Sequence, residues 1–410
     1  MTKGKNILVI TYWSIDNALI HTYTLPYLRQ IRNCLEKDAK LFLLTLSPPG
    51  TLQREYNTVF IKSLANEKIE VINFNYYPFG LRMLLTFLVM FPYLITFSVL
   101  KNIRAIHAWC TPGGAIAWPI AKFSGKPLIL DSFEPHAESM LEAGAWKKNS
   151  FSFRLLFFLE KLQLKLAREV ICASEGMIEH SQQVYRIKKS RYFVKPAGVD
   201  LEIFNPEKYP RLRPELKLKQ NVCVYAGKFG DLYLEREVFD FFKTAYDYWK
   251  GEFSVILLTK HSTAEIMAYC AYSGFPYANI YQQFVPHSQV PAYMSLAHFG
   301  ICTIKPLPSK KFGTPIKNGE YWAMGLPIVI ADNISADSAI VRENNIGYVL
   351  TDFSSAEYLN AIKEIDRLIR TPQLHTKIRT LAEEKRSFKN SIPVYTTIYA
   401  TNEVYSSRKE

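Results

Sequence analysis

Residues 222–258 read VCVYAGKFGDLYLEREVFDFFKTAYDYWKGEFSVILL. Two short apolar, β-branched runs, 222–226 and 254–258, bracket a segment, 235–249, whose apolar residues return at helical spacing. Such runs suit strands buried on both faces, and a helix between two of them is the crossover that parallel strands need. The same alternation continues downstream. Strands are expected at 280–284, 299–304 (FGICTI) and 327–331 (PIVIA), with helices at 263–272, 290–296, 319–324 and 357–369. Gly325 terminates the third of these helices.

Upstream, strands are expected at 6–11 (NILVIT), 40–46, 70–74, 105–108, 127–130, 170–173 and 192–195. Helices fall near 25–35, 80–100, 116–123 and 151–167, with a turn at Pro112-Gly113-Gly114. Residues 196–219, rich in Pro and charge, read as a linker, and 376–386 and 391–405 as terminal helices. The expected architecture is α/β, two Rossmann-like doubly wound domains over 1–195 and 196–390. In such sheets ligands bind beyond the strand carboxyl ends, which makes the cleft between the halves the default site.

With 48% apolar and 14% aromatic residues, the 410-residue chain has core material for two or three domains, which excludes a disordered one. The six cysteines contain no C-x-x-C pair, so neither a zinc site nor a disulfide framework is expected, and the chain reads as cytoplasmic. Charge is uneven. Residues 1–195 hold 25 Lys and Arg against 14 Asp and Glu, a net +11; residues 196–410 hold 25 against 23, a net +2. A basic half suggests an anionic partner: nucleic acid, a membrane surface or a phosphorylated substrate. Residues 83–100 (MLLTFLVMFPYLITFSVL) carry no charge, with Arg82 and Lys101 at their ends. Pro92 in mid-run, with Thr, Ser and Tyr, favours a buried or interfacial helix over a membrane span.

No P-loop, G-x-G-x-x-G, G-x-S-x-G, H-E-x-x-H or Asp-x-Asp pattern occurs. Phosphates would therefore have to meet lysines, backbone amides and helix N-termini. Four segments could carry chemistry. In 225–231 (YAGKFGD), Gly227 permits close backbone approach and Lys228 places a cation at a strand end. In 306–327, a loop with Gly313, Thr314 and Pro315 feeds a helix bearing Lys317 and Glu320. A carboxylate there suits ribose hydroxyls, although an acid in a first helical turn also answers the helix dipole. In 131–136 (DSFEPH), Asp131, Glu134 and His136 could orient an acceptor hydroxyl; surface or core histidines are the commoner case. In 107–114, Gly113 and Gly114 form a turn that could admit a ligand or be a plain turn.

Taken in order, these segments resemble the family 4 retaining glycosyltransferases, which use nucleotide sugars and have the GT-B fold. The likeness runs over nearly the whole chain. Residues 317–327 (KNGEYWAMGLP) look like that family's K-x-x-E-Y-x-A-x-G-x-P segment, and 196–206 (PAGVDLEIFNP) like its P-x-G-V-D-x-x-x-F-x-P linker. Residues 225–230 fall where its Y-x-G-R/K-x segment lies, and 173–175 match the Ser that ends a first-half strand. The resemblance implies that Glu320 binds the nucleotide ribose, that Lys228 replaces an Arg on the diphosphate, and that Gly313, Thr314 and Pro315 lie against the donor sugar and distal phosphate. It implies His136 or Asp131 near the reacting carbon or the acceptor, and a terminal helix, about 391–410, crossing back to the first domain. Three departures stand out. Phe312 occupies the place of a first glutamate, the second diphosphate cation is not obvious after Lys228, with Arg236 the nearest candidate, and 13–20 (WSIDNALI) replace a Gly-Gly loop. Trp13 and Asp16 in that last stretch would touch the acceptor or the sugar.

The expected activity is retaining transfer of a sugar from a nucleotide-diphosphate sugar to an acceptor hydroxyl on a lipid-linked or polysaccharide intermediate. Neither metal nor other cofactor is expected. The basic first half and the apolar helix suit peripheral attachment to the inner face of the cell membrane. The alternatives are a non-catalytic carbohydrate- or nucleotide-binding protein of the same fold, and a nucleic-acid binder.

Overall fold

The apolar runs fall on strands. A computed structural model describes residues 5–78, 80–188, 191–209 and 216–399. Within them the chain forms two compact units. One takes the chain up to Leu141, then Trp146–Lys195 and the segment from Phe388 on; the other takes Glu142–Ala145 and Pro196–Ser387.

The first unit holds strands β1 (Asn6–Ile10), β2 (Leu41–Ser47), β3 (Ile69–Asn75), β4 (Ile103–Trp109), β5 (Leu128–Phe133), β6 (Glu169–Cys172) and β7 (Tyr192–Val194). They pair in parallel in the order β3-β2-β1-β4-β5-β6-β7. Every residue of β2 is buried, as a strand covered on both faces requires. The second unit holds β8 (Asn221–Ala226), β9 (Phe253–Leu258), β10 (Ile280–Gln283), β11 (Phe299–Ile301), β12 (Ile328–Ala331) and β13 (Gly347–Leu350), in the order β10-β9-β8-β11-β12-β13. Strand order reverses between β1 and β4 in one sheet and between β8 and β11 in the other. The loops leaving those strands flank the crevice where such sheets take ligands.

Three expectations change. The turn at Pro112-Gly113-Gly114 is the first turn of helix Cys110–Ser124. A Cβ on Gly113 would sit 2.9 Å from the Ile10 carbonyl oxygen, and one on Gly114 1.7 Å from Gln163 Oε1. Both glycines let the helix press onto β1 and helix Phe151–Leu166, and both are buried in that packing, which corrects the expectation that they form a turn open to an acceptor or sugar. Second, 196–209 is no free tether. Val199 N donates to Arg386 O (2.6 Å), Arg379 holds the carbonyls of Leu201 and Phe204, and Phe204 is buried. Third, helices Glu55–Asn66, Gly176–Gln183 and Asp337–Asn344 carry no strong apolar rhythm. The first buries only Asn57 and Leu64. The terminal helix is Ile392–Tyr399; 400–405 lie outside the described residues.

Candidate functional site

The second unit gathers its chemistry where β8 and β11 diverge. β8 ends at Ala226, and Gly227–Asp231 leave its carboxyl edge. Tyr225 holds that loop from below: its hydroxyl donates to Lys228 O (2.6 Å) and accepts from Thr303 Oγ1 (2.7 Å). Phe229 N donates to His261 Nε2 (3.0 Å). Gly230 has φ +85°, and Gly227 N donates to Leu258 O (2.9 Å). A Cβ on Gly227 would lie 2.7 Å from Tyr225 Oη and 2.9 Å from Lys317 Cε. Gly227 is thus required by the side chains stacked on it.

Two ammonium groups converge above this loop. Lys228 Nζ lies 5.9 Å from the centre of the Tyr233 ring, and Lys317 Nζ lies 5.3 Å from the same centre. Lys228 is exposed and pairs with Asp231 (2.7 Å), whose carboxyl that hydrogen bond and charge hold below the usual range. Lys317 belongs to helix Ile316–Ala323, whose first amides have no side-chain cap. Glu320, one turn on, shares its face. Its carboxylate is nearly buried and takes His287 Nε2 on Oε1 at 2.6 Å. His287 in turn packs on Phe204, ring centres 5.2 Å apart.

The start of that helix is locked from behind. Arg386 is fully buried, pairs with Asp337 (3.0 Å), and donates to the carbonyls of Pro315 (2.5 Å) and Ala197 (2.6 Å). Asn318 Nδ2 donates to the same Asp337 (2.9 Å). Gly313, Thr314 and Pro315 lead into the helix half-buried, and Phe312, in the place of a glutamate, is buried and apolar.

In the first unit, the residues expected to act together separate into two sets. Asp131 is fully buried, and both oxygens are engaged. Oδ1 faces Lys195 Nζ (3.1 Å); Oδ2 faces His107 Nε2 (3.2 Å) and accepts from the Tyr395 hydroxyl (2.7 Å). Burial raises its carboxyl, but the Lys195 ammonium, His107 and Tyr395 outweigh burial and hold it below the ordinary range. Lys195 Nζ also lies 3.5 Å from the Tyr27 ring centre. His107 Nδ1 meets the Tyr399 hydroxyl at 2.7 Å. Asp131 therefore fastens the terminal helix to the sheet, and the expectation that it touches substrate is corrected.

Glu134 and His136 remain at the carboxyl edge of β5, partly exposed, with His136 Nδ1 3.6 Å from Glu134 Oε1. Beneath them Glu160 is fully buried. It accepts from Ala137 N on one oxygen and from the Tyr185 hydroxyl on the other, both at 2.9 Å. Burial pushes its carboxyl up to about 8; the charges of Glu138 and Glu134 add to this and the two hydrogen bonds oppose it. On the loop after β1, Asp16 is tied to Arg54 (2.8 Å) and Ser14 (2.5 Å), and Trp13 is half-buried. Among the described residues no three His, Cys, Asp or Glu side chains converge as a metal site.

No protein-family profile matches the chain, and no curated protein matches it in sequence. Solved structures do match in shape. Sucrose-phosphate synthase from Thermosynechococcus elongatus aligns at TM-score 0.72 and 14% identity, covering 98% of this chain and 100% of that one. HepE from Anabaena in complex with UDP aligns at 0.69 and 13%, covering 98% and 100%. WaaG, a glycosyltransferase involved in lipopolysaccharide biosynthesis, aligns at 0.67 and 12%, covering 95% and 99%. The fold is GT-B.

On this GT-B frame, Gly227 lies against Lys317, Lys228 and Lys317 share the Tyr233 ring, and Glu320 follows one helical turn after Lys317. Sequence reasoning missed His287, Tyr233 and Phe204's contact with His287. His287 follows Pro286 just beyond the carboxyl end of β10, and that position was its one available signal. Tyr233 lies two residues after Asp231, in the stretch where the resemblance implies a second cation. Lys317 reaches Tyr233 from 84 residues beyond it in the chain, whereas the nearest cation in sequence, Arg236, lies 4.4 Å from the Tyr272 ring centre.

Proposed function

We propose that this protein is a glycosyltransferase that moves a sugar from a nucleotide-diphosphate sugar to an acceptor hydroxyl, with retention at the anomeric carbon. One observation carries the reading: Lys228 and Lys317 converge on Tyr233 at the switch point of a GT-B second unit, with Glu320 one helical turn from Lys317. Two cations and a strand-end glycine suit a diphosphate. A carboxylate already oriented by His287 suits a ribose diol on its other oxygen. The UDP seen with HepE supports the same class of donor.

In this reading the lysines and the amides opening helix Ile316–Ala323 stabilise charge that grows on the departing diphosphate. Phe312 removes the carboxylate that would otherwise face the donor sugar, which fits attack on the face the leaving group departs from. The acceptor oxygen bonds to the anomeric carbon, the bond to the phosphate oxygen breaks, and the acceptor proton passes to the leaving phosphate. His136, with Glu134, orients the acceptor hydroxyl. The acceptor is a lipid-linked or polysaccharide intermediate.

The test is thermal stabilisation by UDP-, GDP- and dTDP-sugars, on the protein and on Glu320→Ala. One nucleotide class at about 100 times its dissociation constant should stabilise by about 2.7 kcal/mol, and Glu320→Ala should lose that gain. Product from a bound donor should keep the donor's anomeric configuration by NMR. Stabilisation by none of the panel would overturn the reading in favour of a non-catalytic protein of this fold.

A further inference from the structure

Helix Leu81–Leu100 joins β3 to β4 and packs beside helix Cys110–Ser124, which packs beside Phe151–Leu166, so the three form one layer on the first sheet. Its inner stripe is narrow: Met83, Met90, Leu94 and Ser98. Its outer side is apolar. Leu84, Leu85, Leu88, Val89, Val99 and Leu100 are each more than half exposed. The patch continues over the neighbouring helices with Phe123, Phe151 and Phe158, also more than half exposed. Soluble monomers rarely leave so much contiguous apolar surface in water. Two of its hydroxyls are satisfied internally, Thr86 Oγ1 on Arg82 O (3.0 Å) and Ser98 Oγ on Leu94 O (2.7 Å), and those of Tyr93 and Thr96 belong to exposed residues. Such a helix suits the headgroup boundary, where its apolar side chains can insert while the Tyr93 and Thr96 hydroxyls still meet water or headgroups.

The charges on this layer have one sign. Arg82, Lys101, Lys122, Arg154 and Lys165 are exposed along it. Residues 71–130 contain no Asp or Glu, and the one acid in helix Phe151–Leu166 is the buried Glu160. A face both apolar and purely cationic matches a lipid surface with anionic headgroups. A second copy docked on the same face would set five cations against five. A span is excluded by topology. Crossing an apolar core about 30 Å thick would put the ends of the helix on opposite sides of it, yet those ends lead from β3 and into β4, strands of one sheet.

We propose that this three-helix layer docks on an anionic bilayer, with helix Leu81–Leu100 lying flat among the headgroups, its outer leucines inserted and the flanking lysines and arginines on the lipid phosphates. Docking of this kind belongs to the first unit alone, whereas the donor cluster lies in the second, so vesicle binding and nucleotide binding can fail separately.

The test is co-sedimentation of the full chain with vesicles of phosphatidylcholine alone and with about one-third phosphatidylglycerol. Binding should be at least about tenfold stronger with phosphatidylglycerol at low salt, and should fall steeply at about 1 M salt, where screening shortens to about 3 Å. Leu88→Glu with Val89→Glu, and separately Lys122→Glu with Lys165→Glu, should each weaken binding by about tenfold or more. Val59→Glu is the control. Val59 is as exposed as Val89 but lies on helix Glu55–Asn66, which a right-handed crossover puts on the opposite face of the sheet. That variant should bind like the parent, and all variants should melt like it. Absence of binding at low salt, equal binding to neutral vesicles, or equal loss in Val59→Glu would overturn the proposal. So would a lipid-free dimer in sedimentation velocity that Leu88→Glu with Val89→Glu dissociates, since the face would then meet a second copy.

Discussion

Replacing Gly227 by alanine should damage stability and nucleotide binding through two separable contacts. The new methyl would sit 2.7 Å from Tyr225 Oη and 2.9 Å from Lys317 Cε, and both distances must open. The phenol cannot yield cheaply. It closes two short hydrogen bonds, to Lys228 O and from Thr303, each contributing about 1 kcal/mol. Overpacking of this kind costs about 1–3 kcal/mol, so the second unit should melt several degrees lower, at about 2–4 °C per kcal/mol for a body of this size. The lysine stem yields more easily, but in doing so it carries its ammonium off Tyr233. Loss of one of two diphosphate cations should weaken nucleoside diphosphate binding about tenfold, or about 1.4 kcal/mol. Lys317→Ala separates the effects: it should weaken binding to a similar extent and leave the melting temperature nearly unchanged. Calorimetric titration with the nucleotide that stabilises best, together with melting curves of the three proteins, reads both quantities. A Gly227→Ala protein that melts and binds like the parent would refute the packing argument. One that binds weakly while Lys317→Ala binds normally would refute the role of the lysine.

Two further substitutions test buried charge. A carboxyl whose folded pKa, about 8, exceeds its unfolded value keeps a proton that the unfolded chain has released. The Glu160 contribution is therefore greatest below the unfolded value of about 4.3 and declines as pH rises towards 8, by up to about 1.4 kcal/mol per pH unit. Glu160→Gln should remove that decline; urea unfolding at about pH 5 and about pH 8 checks it, and an equal loss of stability between the two in both proteins would count against it. Arg386→Met strands the buried Asp337 carboxylate and frees the Pro315 and Ala197 carbonyls. It should cost about 3–5 kcal/mol, seen as a fall of on the order of 10 °C in melting temperature, whereas an unchanged melting curve would show that the pair does not hold the helix.

The alternation of apolar runs with helical spacing was enough to read two parallel, doubly wound sheets, because a strand buried on both faces betrays itself within five or six residues. VCVYA and SVILL need no knowledge of their neighbours to be recognised as core strands. The proposed donor cluster is partly legible for the same reason: Gly227 and Lys228 follow a strand end directly, and Lys317 and Glu320 share one helical turn. What a side chain touches across the fold is not local, and only the tertiary structure decided it. Asp131 reads as a reactive acid at a strand end until Tyr395, 264 residues away, is found on its carboxylate. Gly113 and Gly114 read as a turn until Ile10 and Gln163 are seen to occupy the space a Cβ would need. His287 has no motif at all, and it acquires a role from the Glu320 carboxylate that folding places 2.6 Å from its ring. Sequence periodicity reports which face of an element is dry. Which partner fills that face, and which polar group is left for a ligand, depends on distances between residues that the chain itself keeps far apart.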